Sequence, residues 1–369
     1  MICHHVHADE QCPYLGLVSK VFLHLARKHR FEKLRVSSYA HLEELCELVS
    51  AGPCASYIEE IEITLDSAKD AAVPKAARLR TLFCDLTNVR HLTVSGSPRI
   101  AKMLLAPASC MALPRLFDLR IVDPLDGFAQ PFSTDVYRSL PTYSRLSCLY
   151  MHVAREPSSL GRYRGRPNPA LGGAGTWDLE LVGPLSASPA ARDLVASFKT
   201  LNSLCLWDTT RSDSPVFAPF VSAIQSPTCI DHLTLGRDVG GNHTMSDAQE
   251  LLTRLPHIQS LEFAGSAFRA SLLPTLSALV SLATLFFCGL SDLTDAELAA
   301  ILDGPHRLPQ LRTVDIDLGW QDCPWCGEPH WFEGRLTVAG TIANLKLAEK
   351  RGIELHGVIV DRAREEMQQ

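Results

Sequence analysis

One short phrase recurs ten times along this chain: an apolar residue, two variable residues, an apolar residue, one variable residue and a last apolar residue. The copies start at Ile58, Val89, Leu116, Leu146, Thr176, Leu201, Ile230, Ile258, Leu282 and Leu311, with threonine standing in for the first apolar residue once. Their middle apolar residues lie 24 to 31 positions apart. The end of the phrase alternates with period two, the signal of a strand with one face turned inward. The ~20 residues between phrases have room for one helix or helical turn and two loops. No single copy can bury its own apolar side. Stacked copies can: the strands then form a parallel sheet, with the connecting segments outside on a convex surface. At about 4.8 Å per strand, ten strands make a concave face of roughly 45 Å. Such a face is too shallow to exclude water well, so binding is expected of it and enzymatic activity is not.

The clearest unit runs from Leu282 to Ile316. After Leu285-Phe-Phe287 the spacing predicts a helix with Thr294 or Asp295 as its N-cap and Leu298, Ile301 and Leu302 on one face. A period of about 28 residues falls within the leucine-rich-repeat range. The unit resembles the longer, cysteine-containing class of that repeat, although several copies lack the Asn or Cys expected after the strand. The expected fold is therefore an α/β leucine-rich-repeat solenoid, a horseshoe with a parallel concave sheet.

Composition adds exclusions. A net charge of −6 supplies no general basic field for nucleic acid or anionic lipid. No apolar run approaches the ~20 residues of a membrane span, and the first residues lack the pattern of a secretory signal. The twelve cysteines are spread from Cys3 to Cys326, and Cys84, Cys148, Cys205 and Cys288 lie in or beside apolar phrases. They are expected to be reduced, buried small hydrophobes of a cytoplasmic or nuclear protein. Asn242-His-Thr244 matches a glycosylation acceptor only by chance in such a compartment.

Residues 13–56 are assigned to a helical cap that precedes the repeats. Leu15, Leu17, Val18, Phe22 and Leu25 have helical spacing, Arg27-Lys28-His29-Arg30 form a basic turn, and Phe31, Leu34 and Val36 alternate as a short strand. A second amphipathic helix runs from His41 to Val49 and is stopped by Gly52-Pro53. The stretch from Leu15 to Val36 resembles the second half of an F-box of the fungal F-box and leucine-rich-repeat family, with Ser19 and Phe22 at the family's cysteine and tryptophan. The bridge through Tyr57-Ile58-Glu-Glu-Ile61 and the closing Ala348 to Leu355 are similar to that family too. The resemblance implies a substrate-recognition subunit of an SCF-type ubiquitin ligase, with Leu15, Leu17, Val18, Phe22 and Leu25 gripping the adaptor subunit. Only residues 1–11 stand where the family has its first F-box helix. The alternative is a stand-alone interaction scaffold, a truncated F-box protein with no ligase link. The expected layout is a frayed segment at 1–12, the partial F-box-like cap at 13–56, repeats over 57–318 and a C-terminal cap at 319–369. A monomer is expected outside a complex.

The variable strand positions are expected on the concave side. They include Glu60, Glu62, His91, Asp118, Arg120, Cys148, Tyr150, His152, Asp178, Glu180, Cys205, Trp207, His232, Glu262, Phe286, Asp315 and Asp317. Eight of the concave positions are carboxylates and one is an arginine, a balance that favours a basic protein partner. Tyr150, Trp207 and Phe286 supply large rigid anchors. The glycine- and proline-rich stretch from Arg155 to Gly175 reads as a solvated insertion.

Cys323-Pro-Trp-Cys326, with His330 beyond it, is half of a tetrahedral zinc site and a weak candidate; an ordinary turn after the last strand is the expected reading. The cluster Cys3, His4, His5, His7 and Cys12 is expected to be frayed. No phosphate loop, serine elbow or His-Glu-x-x-His occurs, so no cofactor and no catalytic residue is assigned.

Overall fold

A computed structural model describes residues 30–51, 53–65, 75–104, 113–122, 145–152, 177–183, 185, 189–209, 216–237, 246–265, 267–288, 293–317 and 336–368. The chain forms two compact units, residues 1–175 and 176–369. Both are built on the repeat. The segment carrying Leu15, Leu17, Val18, Phe22 and Leu25, the stretch from Arg155 to Gly175, the early Cys/His cluster and the triad Cys323, Cys326 and His330 lie outside the described residues.

In the N-terminal unit the order is β1 (Lys33–Val36), α1 (Tyr39–Ala51), a 3-10 turn (Pro53–Tyr57), β2 (Glu60–Thr64), α2 (Ala76–Asp85), β3 (His91–Ser95), α3 (Pro98–Leu104), β4 (Asp118–Val122) and β5 (Cys148–His152). The strands pair in parallel and in chain order. Their register places Leu34, Ile61, Leu92, Leu119 and Leu149 in one row and Val36, Ile63, Val94, Ile121 and Met151 in a second. Every one of these is buried. Against them pack Leu42, Leu45 and Val49 of α1 and Leu79, Leu82 and Phe83 of α2. Each such side chain contributes roughly 1.5–3 kcal/mol by leaving water. Both rows begin one strand earlier than the ten phrases imply, because Phe31-Glu-Lys-Leu34-Arg-Val36 is itself a copy of the phrase.

The C-terminal unit holds β6 (Trp177–Gly183), α4 (Pro189–Ser197), β7 (Leu201–Asp208), α5 (Ala218–Val221), β8 (His232–Arg237), α6 (Ser246–Arg254), β9 (Ser260–Gly265), α7 (Leu273–Ser277), β10 (Thr284–Cys288), α8 (Asp295–Asp303), β11 (Thr313–Asp317), α9 (Val338–Arg351), β12 (Glu354–His356) and α10 (Val358–Met367). One inner row is Leu179, Leu204, Leu233, Leu261, Leu285, Val314 and Leu355, and all are buried. The next row ends in Phe263, Phe287 and Ile316. Phe268 joins it, its ring centroid 5.0 Å from that of Phe287 and 5.5 Å from that of Phe263, both edge-on.

Local chemistry fixes the connections. Thr294 caps α8 in a reciprocal box: its hydroxyl accepts from the Glu297 amide while the Glu297 carboxylate accepts from the Thr294 amide. Leu298, Ile301 and Leu302 point inward, as their spacing predicts. Gly96 and Gly265 leave their strands at φ 76° and 61°, where a Cβ would meet the carbonyl oxygen of Leu65 or Arg237 at 1.8 or 2.1 Å. Only glycine lets a strand exit pass so close to its neighbour.

The C-terminal helices are clamped onto the last repeats. The Asp295 carboxylate accepts from the Thr337 amide (3.1 Å) and hydroxyl (2.8 Å), and the Thr337 hydroxyl in turn caps α9 at Gly340 (2.9 Å). Lys350 pairs with Asp303 at 2.9 Å, and Arg351 donates to the Leu302 and Leu308 carbonyls. The Arg364 guanidinium of α10 donates to the Leu355 carbonyl of β12 at 2.7 Å, which occupies part of the last strand's outer edge. Among the described residues, no helix is long and apolar enough to cross a membrane.

Candidate docking face

With the apolar rows turned inward, the alternate positions of each strand stand on the side of the sheet opposite the described helices. This side is the candidate site. In the N-terminal unit it carries two rows in register. Lys33, Glu60, His91, Asp118 and Cys148 form the first; Arg35, Glu62, Thr93, Arg120 and Tyr150 form the second. His152 ends β5.

The charges of this unit neutralise one another across the strands. Lys33 meets Glu60 at 2.7 Å and Arg35 meets Glu62 at 2.9 Å, both cross-strand neighbours. Glu60, through its hydrogen bond and its charge, raises the Lys33 ammonium above its usual range. Asp118 accepts from Arg120 at 3.2 Å and faces His91 at 3.6 Å. Lys33 and Arg35 are site residues that the sequence reading omitted. The signal that finds them is the extra phrase at Phe31, whose variable positions they occupy.

The face of the C-terminal unit differs. Its first row is Asp178, Ser203, His232, Ser260, Thr284, Thr313 and Glu354; its second is Glu180, Cys205, Thr234, Glu262, Phe286, Asp315 and His356. No lysine or arginine holds any position in these two rows. The Thr234 hydroxyl donates to Glu262 at 3.0 Å and Asn202 donates to Asp178 at 3.4 Å, so neutral donors hold these carboxylates in place. Cys205 sits between the strands that carry Glu180 and Glu262. Its thiol is pushed well above its ordinary range, first by burial and then by those two carboxylates.

Trp207, also on this side, is half-buried. It lies against Gly236 of the next strand, where a Cβ would come within 2.5 Å of its ring. The absence of a side chain on β8 is what seats the indole. Phe286 is half-buried one strand pair from Glu262, and Tyr150 is half-buried at the end of its row. Asp317 ends β11.

The cysteine expectation needs correction. Among the described residues Cys46 is buried, Cys54, Cys148, Cys205, Cys229 and Cys288 are half-buried and Cys84 is exposed, and none of these seven is in a disulfide. The strand phase explains it, since Cys148 and Cys205 occupy open-face positions and not inward ones. Among the described residues, no three His, Cys, Asp or Glu side chains are grouped to hold a metal ion.

No family model matches the chain, and no curated protein matches it either. Some solved structures are similar to it at low identity. The leucine-rich-repeat-containing protein LegL7 of Legionella pneumophila is 11% identical over 87% of this chain and 97% of its own, with a TM-score of 0.45. A protein of Bacteroides fragilis is 12% identical over 92% of this chain and 77% of its own, with a TM-score of 0.40. The fold observed here, parallel strands in chain order with helices along one side, is that of a leucine-rich-repeat solenoid.

Proposed function

We propose that this chain is a protein-binding module that holds its partner on the sheet face opposite the described helices, and that it serves as a substrate-recognition subunit of an SCF-type ubiquitin ligase. The observation that carries the binding role is the pair of half-exposed side-chain rows on that face. They run in strict register and combine charge, hydroxyl and aromatic groups at fixed spacing. A surface of this kind offers a partner many rigidly positioned contacts at little entropic cost. The ligase role rests on the F-box-like residues Leu15, Leu17, Val18, Phe22 and Leu25 within 13–56, with the repeats of 57–318 capturing substrate and 319–369 closing the stack. In that role the chain performs no bond chemistry. It raises the effective concentration of a substrate's lysines beside the ubiquitin-charged partner. Seven cysteine thiols outside any disulfide, among the described residues, accord with a reducing compartment, cytosol or nucleus.

The test is a binding measurement between the purified 369-residue chain and the SCF adaptor subunit, beside an F-box protein as control. A stable complex supports substrate recruitment. A well-folded chain that fails to bind removes the ligase role and leaves a stand-alone interaction scaffold.

A further inference from the structure

We draw no further inference here: the strongest candidate, the half-buried indole of Trp207 seated over Gly236 on the open sheet face of the C-terminal unit, belongs to the docking face already described, and nothing in the structure shows what covers it.

Discussion

Phe286 and Phe287 are adjacent in sequence and stand on opposite sides of one strand, so substituting each with alanine tests the strand phase on which every statement about the face depends. Phe287 is fully buried, with ring centroids of Phe263 and Phe268 at 6.0 and 5.0 Å. Phe287→Ala removes its transfer energy, opens a cavity in a tightly packed layer and loses both ring contacts. A cost of about 3–5 kcal/mol follows. Phe286 is half-exposed and shares its face with Glu262 and Asp315, its neighbours in register. Water fills the space that Phe286→Ala leaves, so its cost should stay below about 1 kcal/mol. The assay is urea unfolding followed by far-ultraviolet circular dichroism. With a slope of about 2–3 kcal/mol per molar urea, the Phe287 variant should unfold roughly 1–2 M earlier, and the Phe286 variant should barely shift. Equal stability losses for the two substitutions would refute the phase, and with it the assignment of the docking face.

Other outcomes follow from single contacts. Leu285→Ala, in the same strand and fully buried, should cost ~2–5 kcal/mol in the same titration; a negligible loss would place Leu285 on the wrong side. Asp295→Ala deletes the acceptor of the Thr337 amide and hydroxyl and should cost roughly 1–2 kcal/mol. Gly340→Ala forces a methyl onto the same carboxylate, so the two substitutions together should cost less than their sum; full additivity would argue against the clasp. The Cys205 thiol should alkylate more slowly at mildly alkaline pH than exposed Cys84, as read by peptide mass mapping, and Glu180→Gln with Glu262→Gln should speed it. Because the folded thiol holds its proton above the unfolded value near 9.0, its contribution to stability is complete below that pH and is lost as pH rises toward the folded value. A Cys205→Ala chain should therefore lose less stability than the native chain on going above that pH.

How much of this was legible without coordinates depends on the range of the interaction. The repeat phrase alone determined the strands, their parallel order, the inward rows from Leu92 to Val314 and the capped helix after Thr294, because period-two burial and N-capping are local and each copy restates them. It also identified Glu262, Phe286 and Asp315 as open-face residues, since one inward leucine fixes the side of every neighbour. What the sequence could not determine by itself is which charges meet. Lys33 lies 27 residues before Glu60, and only the lateral register of β1 against β2 brings them to 2.7 Å and sets Arg35 against Glu62, pairing two of the eight carboxylates counted along the chain. The Trp207 ring resting on Gly236, the Asp295 clasp on Thr337, and the half-buried thiols of Cys148 and Cys205 are likewise products of packing between distant segments. The tertiary structure decided which charges of the face meet, because electrostatic neutralisation depends on separation in space and not along the chain.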